Sequence, residues 1–440
     1  MGHAVQLPTI NHQLSTSPHP GRDDAVAIVR RLRENGHVAY FAGGCVRDLL
    51  LKVEPKDFDV ATDATPDRVR RLFANTQAVG AAFGVVLVRH GRSVVEVATF
   101  RADGAYDDGR RPTAVTFTDA AHDARRRDFT INGLFLDPLT DAVIDHVGGR
   151  ADVAARVVRA IGDPDERFAE DHLRLLRAVR FAARLGFAVE PATAAAIRRH
   201  APALKRISPE RVGDELRLML TAPTRSAAWS LLWQLELVPV LFRFLPPRTA
   251  PHRPDRDVLL ALASDAAVPF ALATAAGALA YLLHDPREDL PEALADDAVA
   301  AAVRGARQAM RLSNDESDGM AGVLTAVRPL ALGAPPTVAT MKRFLAKPVA
   351  PGGRLLLGAL VSVGAVDHSR AKDVEAALAD LARGDVAPPP LITGDDLTAA
   401  GLRPGPVFRR VLDRVYDAQL EQRVTTREQA LALALDVARA

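Results

Sequence analysis

The sequence predicts an α+β fold, with a small sheet-containing head at the N-terminal end and a long all-helical remainder. Three observations carry this. Two apolar, β-branched runs, "VVLVRH" (Val85–His90) and "SVVEVATF" (Ser93–Phe100), meet across His-Gly-Arg and read as a hairpin. Near residue 150 the hydrophobic period changes once, from alternating short strand and helix patterns to helical spacing. Beyond that point Pro-rich stretches at Leu245–Pro254, Gly333–Thr337 and Asp385–Leu391 punctuate the helical pattern as joints between units.

The elements follow in order. The first residues, "MGHAVQLPTINHQLSTSPHP", are polar with Pro and His and read as a loose leader over 1–21, with no signal-peptide pattern. Asp23–Glu34 has a helical pattern ended by Gly36, and the apolar run His37–Ala42 follows it. "TPDRVRRLF" (Thr65–Phe73) places Thr and then Pro at a helix start, where a missing N–H costs nothing. In "EDHLRLLRAVRFAARLGF" (Glu170–Phe187) the apolar positions Leu173, Leu176, Val179 and Ala183 fall on one face, which predicts a helix. No internal repeat of fixed period is present.

A chain of 440 residues suffices for two to four domains, and 48% hydrophobic with 25% charged residues describes a soluble globular protein. The net charge of +2 is unevenly spread: Arg-rich runs such as Arg125–Phe129 and Glu170–Phe187 lie in the first half. Such runs suit a phosphate-rich partner, and equally a solvated helix face. The single cysteine, Cys45, excludes an intramolecular disulfide and reads as a small apolar filler in a tight turn. The longest uncharged run, Ala266–Leu283, is Ala-rich and broken by Pro269, Thr274 and Gly277. It falls short of the ~20 strongly apolar residues of a membrane span, so it is expected to be a buried helix of a cytoplasmic protein.

The densest chemistry lies in "FAGGCVRDLLLKVEPKDFDVAT" (Phe41–Thr62). In an extended run Asp57 and Asp59 share one side of the chain and flank Phe58. Carboxylates that close repel unless a cation lies between them, and hard oxygen ligands in this number favour Mg²⁺. By itself a lone Asp-x-Asp is a weak signal that loop capping explains better. The preceding Gly43 and Gly44 add a turn whose N–H groups can approach a triphosphate, and Arg47 adds a fork of donors. Glu96, a lone charge in an apolar strand, either completes a metal-binding trio or pairs with an arginine. Asp128, beside Arg126 and Arg127, is a similar candidate.

With "GGCVRD" (Gly43–Asp48), "DFD" (Asp57–Asp59), "RRDFTING" (Arg126–Gly133), "DHVGGRAD" (Asp145–Asp152), "EDHLRLLRAVRF" (Glu170–Phe181) and "RISPERVGDEL" (Arg206–Leu216), the chain resembles a known family. It is similar to the class II tRNA nucleotidyltransferases: the bacterial CCA-adding enzymes and poly(A) polymerases of the polymerase-β-like nucleotidyltransferase superfamily. The resemblance implies a nucleotidyltransferase head with a mixed or antiparallel sheet over 22–148, then an elongated all-helical remainder. That remainder comprises a neck with the nucleotide-selecting helix over 149–220, a body over 221–330 and a tRNA-binding tail over 331–440. It implies template-independent addition of C, C and A, or of the terminal A, to tRNA 3′ ends from CTP and ATP. Two Mg²⁺ ions, with Mn²⁺ as the alternative, would be bound by Asp57 and Asp59, one activating the RNA 3′-hydroxyl and the other gripping the triphosphate. Catalytic residues would be Asp57, Asp59, Glu96, Arg127 and Asp128. Nucleotide-binding residues would be Gly43, Gly44, Arg47, Arg127, Asn132, Glu170, Asp171, Arg174, Arg177 and Arg180.

The chemistry of base choice agrees with that mapping. Asp171 and Arg174, three apart on a predicted helix, would be neighbours, the carboxylate accepting from the amino group of C or A and the guanidinium donating to a ring nitrogen. U and G would leave the pair unsatisfied. By itself the spacing also describes a surface salt bridge. The segment Arg101–Val115 matches the family's flexible Asp-x-x-Tyr-x-Asp-x-Arg-x-Pro segment, which argues against a CC-only enzyme. "VGAAFGVVLV" (Val79–Val88) lacks the double-arginine signature of proteobacterial poly(A) polymerases. A poly(A) polymerase acting on general RNA is the alternative reading, and a non-catalytic RNA-binding protein a more distant one. "LLHD" (Leu282–Asp285) has the His284-Asp285 pair of metal phosphohydrolases, with His252 upstream but no evident downstream Asp. In the tail, Arg403, Arg409, Arg410 and Arg414 would follow an RNA backbone.

Overall fold

The computed structural model describes residues 20–78, 84–104, 115–248, 250–262 and 266–439. All of the expected leader but its last two residues, positions 79–83 of the Val79–Val88 segment and positions 105–114 of the Arg101–Val115 segment lie outside the described residues. The chain divides into two compact units, Met1–Ile207 and Ser208–Ala440. The division falls inside the stretch 149–220 expected to form the neck.

The first unit opens with α1 (Pro20–Glu34), β1 (Ala39–Ala42), α2 (Gly44–Leu50), β2 (Val60–Thr62), α3 (Pro66–Leu72), β3 (Thr76–Ala78), β4 (Val85–His90) and β5 (Ser93–Thr99). It continues through β6 (Arg101–Asp103), β7 (Val115–Phe117), α4 (Ala120–Arg125), β8 (Leu134–Asp137) and β9 (Ala142–Asp145). Seven strands form one sheet in the order β3-β4-β5-β2-β1-β8-β9, and β6 pairs with β7 apart from it. The β2–β5 pair is parallel and the other pairs antiparallel, so the sheet is mixed. β4 and β5 are the expected hairpin, pairing from His90↔Ser93 to Val85↔Ala98.

Along β5 the residues alternate, with Val95, Val97 and Thr99 buried and Val94 and Glu96 exposed. The buried side is the apolar face on which Phe41 and Val60 also lie. It is covered by α1, whose Ala25, Ile28, Val29 and Leu32 are fully buried. On the other face Ala124 of α4 packs with Ala42, Ala61, Phe100 and Phe135. That second face carries the acidic residues.

The unit then turns helical, through α5 (Gly149–Ala155), β10 (Val157–Val158), α6 (Pro164–Glu170), α7 (Arg174–Leu185), β11 (Ala188–Val189) and α8 (Pro191–His200). Two features differ from the sequence reading. The helix predicted over Glu170–Phe187 starts late, as α7 at Arg174, and Glu170 is the end of α6: Asp171 takes an extended conformation (φ −145°, ψ 103°), and its carboxylate accepts the Leu173 N–H at 3.0 Å. This local Asx bond competes with helix continuation and breaks the chain between α6 and α7. Within the region read as helical, β10 and β11 also form a short parallel pair.

The second unit is helical. It comprises α9 (Pro209–Leu220), α10 (Arg225–Gln234), α11 (Val238–Leu241), α12 (Phe270–Leu282), α13 (Pro286–Ala293), α14 (Asp296–Met310) and α15 (Asn314–Ala331). These are followed by α16 (Val338–Leu345), α17 (Ala350–Ser362), α18 (His368–Leu381), α19 (Gly394–Ala399), α20 (Pro406–Leu420) and α21 (Arg427–Arg439). The uncharged run is α12, buried at every position but Leu282 and packed against α9, α13, α15 and α17. Among the described residues no single helix is long and apolar enough to cross a membrane. α19, α20 and α21 enclose a separate small core around Leu397, Val411, Val415 and Ala430.

Candidate active site

The site begins at the turn that leaves β1. Gly43 has φ +74°, a conformation that costs a glycine nothing, and its N–H donates to the Leu134 carbonyl at 3.0 Å. A Cβ there would stand 2.9 Å from Nη1 of Arg127. The first glycine thus lets an arginine head lie against the turn. Gly44 opens α2, and Cys45 behind it is buried, its thiol pushed up to about 12 by burial and then by the Asp59 charge. A thiol so placed is inert, as the filler reading requires.

Asp57 and Asp59 are aimed by the residue between them. Phe58 is 4% exposed and packs its ring 5.2 Å from that of Phe41, so both neighbouring carboxylates point away from the core. The strand proper begins only at Val60, but the Ala42 N–H donates to the Asp59 carbonyl at 3.0 Å and extends the ladder one residue further. Parallel pairing of Val60 with Val97 sets Asp59 beside Glu96 on the open face. The two line one pocket of about 250 Å³ with Arg101, Arg126 and Arg127. Burial, then Glu96, then Asp57 push the Asp59 carboxyl up to about 6, against the opposing pull of Arg127. The structure thus gives Glu96 its place: it sits in the field of the acidic pair.

Asp128 stands elsewhere. It is buried, and its Oδ2 accepts from Nε and Nη2 of Arg177 at 2.8 and 2.7 Å. Its Oδ1 accepts from Asn132 at 3.1 Å and from the Phe129 N–H at 2.8 Å. Asn132 also accepts from Nη1 of Arg47 at 2.6 Å, and Arg47, itself buried, forks onto Asp48. The chain Asp48–Arg47–Asn132–Asp128–Arg177 sets two of its arginines over one aromatic ring. The guanidiniums of Arg47, Arg177 and Arg180 lie 5.4, 5.4 and 4.4 Å from the centroid of Phe181. Four expected nucleotide-binding residues, Arg47, Asn132, Arg177 and Arg180, and the expected catalytic Asp128 are gathered here with two that sequence reasoning missed, Asp48 and Phe181.

The expected base-reading trio is arranged differently from the helical-neighbour prediction. Because α6 ends at Glu170, Asp171 and Arg174 do not share a helix. Arg174 donates instead to Glu170 at 2.5 Å, which also accepts from Arg167 at 2.8 Å. Arg174 is 8% exposed and also donates to the carbonyls of Arg167 and Arg126 at 3.0 and 3.2 Å. The carbonyl of Arg126 thereby joins the helical half of the unit to the segment that carries Arg127.

Motif "DHVGGRAD" is scaffolding for this segment. Asp145 accepts the N–H groups of Val147, Gly148, Gly149 and Arg150, which hold its carboxyl below the usual range despite burial. Asp152 accepts from the Thr130 hydroxyl at 2.6 Å.

The chemistry of the donor set fits divalent cations. No three His, Cys, Asp or Glu side chains among the described residues gather as a metal-holding group. Mg²⁺ needs no such cage, since it takes one or two carboxylates and completes its shell with water and phosphate oxygens. The raised Asp59 marks where positive charge is wanted.

In the second unit the His284-Asp285 pair is used locally. Asp285 caps α13 and pairs with Arg256 at 3.2 Å, while the N–H groups of both residues donate to Asp289. His252 stacks on Trp233 and pairs with Asp257 at 2.7 Å. Arg403, Arg409, Arg410 and Arg414 are exposed along and just ahead of α20.

Comparison with known proteins matches the poly A polymerase head domain at residues 39–159. A second match is to the probable RNA and SrmB-binding site of polymerase A at 186–248. A CCA-adding enzyme of Geobacillus kaustophilus is 43% identical over 228 residues, which is 52% of this chain and 55% of that protein. Poly(A) polymerase I of Salmonella typhi is 39% identical over 251 residues, 54% of each chain. The chain thus spans about half the length of the curated relatives it matches. The crystal structure of the Bacillus stearothermophilus CCA-adding enzyme in complex with CTP superposes with a TM-score of 0.66 at 30% identity, over 96% of this chain and 98% of that one.

Proposed function

Because the chain belongs to the family of CCA-adding enzymes and bacterial poly(A) polymerases, we propose that it adds C, C and A, or the terminal A, to tRNA 3′ ends. CTP and ATP are the substrates, and the cytoplasm is the place of action. The 3′-hydroxyl of the RNA attacks the α-phosphate in line, a P–O bond to the β-phosphate breaks, and pyrophosphate leaves.

Nucleotidyltransferases of this family generally use divalent metal ions. Here Asp57 and Asp59 would hold them, with Mg²⁺ or Mn²⁺ as the ion, while Glu96 adds its charge beside Asp59. When bound, two such ions activate the 3′-hydroxyl and neutralise the triphosphate. The residues of the chain divide the remaining work. Arg127, against the glycine turn, takes phosphate oxygens. Glu170 fixes Arg174 for the base, and Asp171 at the α6–α7 break offers its carboxylate to the exocyclic amino group. The Asp128–Arg177 pair and Asn132 set the floor between them. The head over 22–148 supplies chemistry, the neck over 149–220 base choice and the tail over 331–440 the grip on tRNA.

The observation that carries the reading is the register of β2 on β5, which aligns Asp59 with Glu96 beside Arg127. The test offers tRNA ending at the discriminator base, after C, or after CC, with each nucleotide alone. Stepwise C, C and A incorporation is expected, abolished by Asp57→Ala, with Arg174→Ala mainly relaxing base choice. Incorporation of A alone onto tRNA ending in CC, without CTP use, would restrict the reading to terminal addition. The likeness to poly(A) polymerase I favours a second reading, and long A tails on unstructured RNA would establish it.

A further inference from the structure

Asp123, on α4, falls outside every motif of the sequence reading, yet it holds two arginine side chains at once. One carboxylate receives two complete forks. Its Oδ2 accepts from Nε and Nη2 of Arg127 at 3.1 and 2.9 Å, and its Oδ1 from Nε and Nη2 of Arg126 at 2.8 and 2.6 Å. Oδ1 also accepts the Arg101 N–H at 3.3 Å. The residue is 1% exposed. Burial pushes its carboxyl up, and the guanidiniums of Arg127 and Arg126 outweigh burial and hold it below the usual range.

Arg127 needs such a partner. It shares a pocket with Asp59 and Glu96, two carboxylates that would attract its long, flexible side chain. An arginine collapsed onto them would occupy their oxygens and withdraw its own donors. A bidentate grip on Nε and Nη2 removes both the rotamer freedom and that competition. It leaves Nη1 as the outward end, between the Asn132 carbonyl at 3.3 Å and the glycine turn.

We propose that Asp123 is a positioning residue for the triphosphate, fixing Arg127 so that its Nη1 edge faces phosphate across the Gly43 turn and its guanidinium does not close onto the carboxylates of Asp59 and Glu96. The proposal rests on the nucleotidyltransferase reading of the same pocket. Arg174 touches this segment only through the Arg126 main-chain carbonyl, and Glu170 and the Arg167 carbonyl anchor it besides, so the loss of Asp123 should spare base choice.

The test measures binding of inorganic tripolyphosphate by calorimetry in metal-free buffer, and KM for CTP and UTP with tRNA. Asp123→Asn keeps the shape but turns a donor toward one fork. Losing one charge-assisted contact should weaken tripolyphosphate binding about tenfold. The KM for CTP should rise with it while the CTP-to-UTP preference holds, and Asp123→Glu should restore most of the affinity. Wild-type affinity for tripolyphosphate in folded Asp123→Asn overturns the proposal, as does an equal loss in Asp123→Glu. If Asp123→Asn does not fold, Arg127→Lys replaces it: a lysine keeps the charge but cannot be forked, and unchanged affinity there overturns the proposal as well. Wild-type protein that binds tripolyphosphate but extends no RNA would refute the functional reading and leave the Asp123 result readable.

Discussion

Replacing Asp128 with asparagine tests the buried network directly. Burial pushes this carboxyl up, but Arg177 and the hydrogen bonds from Asn132, Arg177 and the Phe129 N–H bring it from 3.8 to about 2. At about 1.4 kcal/mol per pH unit, that shift stabilises the fold by about 2 kcal/mol at neutral pH. The contribution is present above 3.8 and lost as pH falls through about 2. Asp128→Asn is nearly isosteric and can still accept the Phe129 N–H. It takes the Asp128 charge away from Arg177, itself half-exposed, so the cost should stay at ~2 kcal/mol rather than the ~3–5 kcal/mol of a fully buried broken pair. Trp229 and Trp233 are the two tryptophans of the chain and both lie in the second unit, so their emission does not report on this one. Peptide-resolved hydrogen exchange does. At pH 7, amides of residues 128–133 and 174–185 should exchange about 30-fold faster in the variant. In urea titrations followed by circular dichroism, the gap to wild type should shrink to about 1 kcal/mol at pH 3. Equal stability at pH 7, or a gap that does not close on acidification, would refute the reasoning.

Three more outcomes follow from the same geometry. In metal-free protein, Asp59→Asn should raise the melting temperature while abolishing incorporation, because burial and then the Glu96 and Asp57 charges disfavour the Asp59 carboxylate. A carboxyl raised to about 6 loses stability as pH rises from 3.8 to that value, so scanning calorimetry should show no gap below pH 3.8 and a full gap above about 6. Gly149→Ala should be severe: its Cβ would stand 2.1 Å from the Thr130 carbonyl oxygen, which places the cost at or beyond the top of the ~1–3 kcal/mol overpacking range. A thermal shift of only a degree or two would contradict this. Arg370 donates to the carbonyls of Leu330, Leu332, Gly333 and Ala334 at 2.9, 2.9, 2.6 and 3.1 Å and closes the end of α15. Arg370→Ala should cost the second unit about 2 kcal/mol, read by tryptophan emission in urea, and Arg370→Lys should not restore it.

Local patterns made much of the head legible. The hairpin, the Thr-Pro helix start and the glycine turn depend on propensities and backbone freedom that act within a few residues, and each appears where its pattern stands. Asp57 and Asp59 were legible for the same reason, since Phe58 between them must go inward. The α6–α7 break was missed because apolar spacing continues through it. An Asp that bonds the N–H two residues on leaves no mark on hydrophobic period.

By itself the sequence determined the hairpin, the helix starts, the mixed α and β character and the residue types of the site, because these follow from short-range sterics and the alternation of apolar and charged positions. Only tertiary structure decided how those residues divide between chemistry and support. Glu96 and Asp128 were equal candidates along the chain. Strand register, a long-range property, set one beside Asp59, while packing of α7 buried the other against Arg177. Asp123 lies three and four residues before the two arginines it holds, a spacing that in sequence describes any surface salt bridge. Burial in the head turned it into the anchor of the pocket.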